Sequence, residues 1–224
     1  RHGLALELAN DGRTRLEAYR GCGVPVAALQ AWRMHDVHPL HPERSARSEA
    51  LRHVEQTVEE ADRLGARRVV TVCGYGEDLA DSPFERCLDF FDGAARRAGE
   101  VGVRLMIEPL SPLRVAAMTD PREIVRLIET LDRPDVFGLL LDTGHLLDSG
   151  REVDELGELF AGIGHPIEEL QVRGAADRPP DEGWPYEEWL SRMEVRPAVV
   201  SGEYREPIEP EAFERLVKRL RQAL

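Results

Sequence analysis

The sequence has no run of lysines and arginines, no apolar stretch long enough to cross a bilayer, and no basic segment leading into a greasy one. Those absences argue against an anionic membrane or a nucleic acid as partner, because a formal net charge of −13 repels both unless a local basic patch intervenes. Cysteine is scarce. Cys22, Cys73 and Cys87 are odd in number and form no C-x-x-C pair, which argues against structural disulfides and for a reducing compartment, the cytoplasm by default. No Gly-rich phosphate loop, internal repeat or low-complexity linker divides the chain. With 224 residues, 42% of them hydrophobic, it is long enough to bury a substantial core, and a single domain over residues 1–224 is expected.

What is present is an alternation of short aliphatic runs with longer polar stretches of helical period, the pattern of repeated βα units on a parallel sheet. The strand-like runs are Leu4–Ala9, Val24–Gln30, Arg68–Gly74, Val103–Pro109, Phe137–Thr143, Glu168–Arg173 and Ala198–Tyr204. Helical segments are expected at Thr14–Gly21, Glu43–Leu64, Pro83–Glu100, Pro121–Leu131, Val153–Ile163, Tyr186–Met193 and Pro210–Ala223. Gly65 and Gly102 stand where helices should end, and Asp120-Pro121-Arg-Glu123 offers an N-cap, a first-turn proline and a capping-box acid. Seven strands are one short of a closed (β/α)8 barrel of the TIM type. A missing N-terminal strand is the expected reason, since the chain starts at Arg1 without an initiator Met.

Four oxygen-bearing side chains, Glu108, Asp142, Gln171 and Glu203, each fall at the C-terminal end of one of these runs. In a parallel barrel such ends share one rim, the face on which barrel active sites are built. Three carboxylates and an amide oxygen brought together would repel one another unless a cation sat among them, and an all-oxygen set points to Mg²⁺ or Mn²⁺. In Asp142-Thr-Gly-His145 the glycine is read as permitting a sharp turn that aims His145 into the same cavity, and Arg178 lies on the rim seven residues past Gln171. The histidine-rich loop His35-Asp-Val-His38-Pro-Leu-His41 reads as solvated or as a substrate lid. Cys73 reads as a small buried side chain, and Trp189 as barrel packing.

These residues resemble the xylose isomerase-like barrel superfamily, in particular the sugar phosphate isomerase/epimerase family and its hydroxypyruvate isomerase-like branch. The likeness rests on Ile107-Glu-Pro-Leu110, Leu141-Asp-Thr-Gly-His145 and Gly202-Glu-Tyr204, with Leu170-Gln171-Val172 followed by Arg178. It implies a divalent metal held by Glu108, Asp142, Gln171 and Glu203, with Glu108 and Glu203 as the acid/base pair and His145 and Arg178 on substrate. It further implies a metal-dependent isomerase or epimerase of a small hydroxy-ketone or ketose, working through an enediolate. The family's barrels often pair, so a homodimer is the assembly it suggests. Ser111 and Arg114 depart from the pattern, since epimerases of the group often carry an acidic residue and an Asn in this stretch. The superfamily's abasic-site endonucleases have a His-Pro-Gly where this chain has Val72-Cys73-Gly74, and the chain lacks their His-rich zinc set. The residues leave open a dehydratase or lyase using the same enediolate, and a non-catalytic barrel that binds a metabolite or a partner.

Overall fold

In the computed structural model, residues 4–13 and 15–224 are described. Seven strands hydrogen-bond in chain order, all parallel, into a nearly closed barrel with helices between, one strand short of a TIM barrel. The strands are β1 (Leu6–Ala9), β2 (Val26–Gln30), β3 (Arg68–Val72), β4 (Arg104–Glu108), β5 (Phe137–Asp142), β6 (Ile167–Val172) and β7 (Val199–Gly202). The helices are α1 (Arg44–Leu64), α2 (Pro83–Val101), α3 (Pro121–Leu131), α4 (Thr143–Asp148), α5 (Val153–Gly162), α6 (Tyr186–Arg192) and α7 (Pro210–Ala223). No helix among the described residues is long and apolar enough to cross a membrane.

Strand alternation sorts the core into two parts. Val69, Leu105, Ile107, Leu139 and Leu141 face the helices and join the large outer core with Val54, Val58, Phe91 and Ile124. Ala28, Val70, Met106 and Leu140, on the opposite faces, form a small apolar plug of their own. Glu108 and Asp142 share the parity of Met106 and Leu140, so the same alternation that fills the barrel aims both acids inward at its C-terminal end.

Helix ends follow their local chemistry. Gly65 and Gly102 take left-handed φ of 77° and 66° and close α1 and α2. Asp120 accepts a hydrogen bond from Arg122 N at 2.9 Å and caps α3. The reciprocal capping box is found at Glu152 and Glu155, where α5 begins. Two expectations are corrected. The helix expected from Thr14 to Gly21 is only a 3-10 turn, Leu16–Tyr19, and Thr14 itself lies outside the described residues. The His35–His41 stretch is not simply solvated: His38 is 3% exposed, while His35 faces the cavity described below.

Candidate active site

A cavity of about 390 Å³ opens at the C-terminal rim, within the size range of small-molecule sites. Glu108, His145, Arg173, Asp177 and Glu203 are among the residues that line it. Glu108, Asp142 and His145 each offer a ligand atom, and these atoms all lie within 4.8 Å of one another. All three side chains are buried. His145 Nε2 is 3.5 Å from Glu108 Oε1, and its Nδ1 has no hydrogen-bond partner.

Asp142 does two jobs. It ends β5 and caps α4, accepting from His145 N at 3.0 Å, while its second oxygen accepts from Arg173 Nε at 2.7 Å. Arg173 is itself 3% exposed and also donates to Asp177 Oδ1 at 2.8 Å. The reason for Gly144 differs from the expected sharp turn: its φ is not positive, and a Cβ there would meet Arg173 Nη1 at 2.6 Å. Glycine is required because the guanidinium lies against the backbone.

Gln171 is fully buried beside Asp142 in the strand register. Its Nε2 donates to Glu7 Oε1 at 2.6 Å, and the same oxygen accepts from Gln30 Nε2 at 2.7 Å. Glu7 thereby fixes which way the Gln171 amide faces, and the carbonyl oxygen of Gln171 is left buried without a partner. Asp142 and Gln171 do not line the cavity itself, and Glu203, which does, stands outside the close triad. Arg178 is exposed, donates to Ala175 O at 3.2 Å and is not a cavity residue; the arginines that line the cavity are Arg114, Arg173 and Arg205.

The electrostatics follow from burial. Burial, followed by the charges of Asp142 and Glu203, pushes the Glu108 carboxyl well above the usual carboxylate range. Asp142 is raised to about 6 by burial, against the pull of Arg173. Glu203 is raised to about 7 by burial and then by Glu7 and Asp142. His145 is lowered to about 3 by burial and by Arg173 and Arg114, so its imidazole is neutral and the Glu108–His145 contact is no ion pair. Two carboxyls raised by burial and a neutral imidazole form a donor set that a divalent cation fits, and the orphaned amide oxygen of Gln171 belongs to the residue beside Asp142 in the register. Mg²⁺ and Mn²⁺ suit the oxygens, and the imidazole in the triad admits a softer ion as well.

Sequence reasoning passed over Arg173, Glu7 and Asp177. The first two carried a signal. Arg173 follows Gln171 by two residues and so shares its face, and Glu7 alternates with Leu6 and Leu8. Asp177 lies in an irregular loop and carried none.

The family described as xylose isomerase-like TIM barrel matches residues 4–223. The chain belongs to that family. Its solved relatives include 3-keto-D-glucoside 4-epimerase YcjR from E. coli, at 16% identity and TM-score 0.74, covering 92% of this chain and 82% of that one. An L-ribulose 3-epimerase aligns at 15% identity and TM-score 0.73, over 96% and 76%. The IOLI protein, crystallised with a zinc atom, aligns at 17% identity and TM-score 0.62, over 92% and 77%. A search of curated proteins returned no match. At these identities the likeness establishes the xylose isomerase-like barrel and no particular substrate.

Proposed function

We propose that this xylose isomerase-like barrel is a divalent-metal-dependent isomerase or epimerase of a small ketose or hydroxy-ketone, located in the cytoplasm. The observation that carries the reading is the convergence of Glu108 and Glu203, from the ends of separate strands of the sheet, on one cavity that His145 also lines, with a carboxylate oxygen of Asp142 within 4.8 Å of the Glu108 and His145 ligand atoms. Glu108, Asp142 and Glu203, with the amide oxygen of Gln171, would hold Mg²⁺ or Mn²⁺, and His145 is placed to join them. Such a cation supplies a Lewis acid that makes the C–H beside a carbonyl easier to ionise.

Glu108 and Glu203 then divide the proton work. Both carboxyls are raised toward neutrality by burial, the condition for a group that must accept and return a proton near pH 7. One carboxylate takes the proton from the carbon next to the carbonyl. The other delivers a proton to the neighbouring carbon while the hydroxyl proton passes to the former carbonyl oxygen, giving isomerisation, or to the opposite face of the same carbon, giving epimerisation. His145, neutral, hydrogen-bonds a substrate oxygen when it is not ligating. Arg173 holds Asp142 in place through a buried charge-assisted hydrogen bond and acts as a positioning residue.

The test is NMR-detected uptake of deuterium from D₂O into a panel of ketoses, hydroxypyruvate and keto-cyclitols with Mn²⁺ or Mg²⁺ present. Metal-dependent uptake at a carbon adjacent to a carbonyl is expected. Uptake that is indifferent to EDTA, or a product lighter by one water, would overturn the reading in favour of metal-free or dehydratase chemistry.

A further inference from the structure

Glu108 and Glu203 are held by different means. Glu108 ends β4, a strand paired on both sides, whereas Glu203 follows β7, which among the described residues pairs with β6 alone. The β6–β7 ladder stops at Val172 and Gly202, and no residue of β7 is buried. Packing therefore does not fix the segment that carries Glu203. Gln30 reaches its carboxylate, but the first backbone hydrogen bond beyond the ladder comes two residues on, where Arg205 N donates to Asp177 O at 3.0 Å.

Asp177 meets that segment twice. Its carbonyl takes the Arg205 N–H, and its Oδ2 lies 3.4 Å from Arg205 Nε. Its other bonds reach the fully paired part of the barrel: Oδ1 accepts from Arg173 Nη1 at 2.8 Å, and Oδ2 accepts from Arg114 Nη2 at 2.9 Å. Arg173 in turn donates to Asp142 Oδ2 at 2.7 Å, and Arg114 Nη1 donates to Tyr75 Oη at 3.1 Å. Ala176 N donates to Asp148 Oδ1 at 3.0 Å, which fastens the loop to the end of α4. One unbroken line of polar contacts thus runs from Asp142 through Arg173 and Asp177 to Arg205, two residues past Glu203.

Charge balance alone does not account for this arrangement. Arg173 already has Asp142 and stands 4.0 Å from Asp148, and Arg205 is 70% exposed, where an ion pair adds little to stability. Yet Ala176 and Asp177 hold φ of 55° and 58°, a region that residues with side chains rarely occupy. Backbone strain of this kind persists where the surroundings over-determine it, and it gathers at functional sites. Here it lets the carbonyl and the carboxylate of one residue both meet Arg205.

We infer that Asp177 is a positioning residue for proton transfer: it clasps the segment after β7 to Arg173 and so holds Glu203 at the cavity that Glu108 lines. The inference rests on the proposed Glu108/Glu203 acid/base pair. Placement of the second carboxylate matters steeply, because a shift of about 1 Å in a reacting group can cost on the order of 100-fold in rate.

Asp177→Asn tests it, since asparagine tolerates the left-handed backbone and the substitution removes the charge. On the substrate found by deuterium exchange, kcat should fall about tenfold, with KM within about threefold and Mn²⁺ affinity within about twofold of the parent. Arg205→Met, at an exposed position, should lower kcat about threefold, and the double variant should be no slower than Asp177→Asn, because both act through one contact. Backbone hydrogen exchange gives a readout that needs no substrate. Protection of the Arg205 amide should fall at least about fivefold in Asp177→Asn, while the amides of β5 keep theirs. An unchanged kcat, losses that multiply in the double variant, a loss carried by KM or by Mn²⁺ affinity, or an Arg205 amide as protected as in the parent would each overturn the clasp. Should Asp177→Asn fail to fold, Arg205→Met decides by the same readouts, a lower kcat at unchanged KM and a less protected amide at position 205; the parent's values in either would overturn it. If no substrate exchanges in the parent enzyme, the isomerase reading falls, and amide protection still decides the clasp.

Discussion

The two sides of this barrel are built differently. β5 is buried at all six positions, and its neighbours β4 and β6 are buried at four of five and five of six. β1 and β7 have no fully buried residue, and among the described residues each has a strand partner on one side only. Glu108, Asp142 and Gln171 come from the closed side, while Glu203 and Glu7 come from the open side. The proposed cation would draw most of its donors from the closed side, from packed strands with a capped helix and a buried arginine behind, and one, Glu203, from the open side. The proposed partner in proton transfer sits on the less constrained side, where a carboxylate can change its hydrogen bonds at lower cost.

The largest effect expected from this contrast is chemical. Glu203→Gln should lower turnover about 10³- to 10⁴-fold, in the upper part of the range for loss of a general acid/base, with the melting temperature held or slightly raised. Turnover within tenfold of the parent, on the substrate found by deuterium exchange, would remove Glu203 from its role. On the closed side the expected loss is structural. Asp142→Ala strands a buried Arg173 charge and should cost about 3–5 kcal/mol in urea denaturation. A cost below about 1 kcal/mol would mean that Asp177 and Asp148 together satisfy Arg173.

The contrast also has a purely apolar version. Leu139→Ala on β5 removes a fully buried side chain and should cost about 3 kcal/mol, whereas Val200→Ala on β7, only partly buried, should cost about 1 kcal/mol. Equal costs in the two denaturation curves would show that the sides are packed alike.

The last effect is a pH dependence. His53 on α1 is buried against Arg33, which donates its backbone N–H to His53 Nε2 at 3.4 Å. Burial first, then the charge of Arg33, lowers its pKa to about 4, against the opposing pull of Glu49 and Asp11. The unfolded chain, with a histidine pKa of about 6.5, binds the proton first as pH falls. The stability contribution is therefore full above about pH 6.5 and is lost toward pH 4, amounting to about 2 kcal/mol at pH 5. His53→Gln should flatten that part of the stability–pH curve; an unchanged curve would assign the slope to the buried acids.

Much of this molecule is legible in residue order. Apolar alternation located all seven strands, since Leu105, Ile107, Leu139 and Leu141 can face the helices only if Met106, Glu108, Leu140 and Asp142 face the barrel interior. Pro121 and Leu131 bound α3, and Pro210 and Ala223 bound α7, where proline and capping chemistry mark the ends. The short helix α4 escaped notice because its six residues, Thr143–Asp148, span too few turns to show a period.

The acids at the strand ends were legible for the same reason that the strands were: a charged group directly after an apolar run must be solvated, paired or ligated. Their arrangement was not. That Glu108, Asp142 and His145 lie closest together, that Arg178 points elsewhere, and that Asp177 gathers three arginines depend on loop conformations. Those are set by contacts between segments far apart in the chain. Sequence by itself determined a parallel barrel with inward acids at its C-terminal ends, because period-two alternation and burial cost are local properties. Only the tertiary structure decided which donors meet and where the arginines gather, because ångström-scale distances between side chains of different strands are fixed by barrel closure and by no local rule.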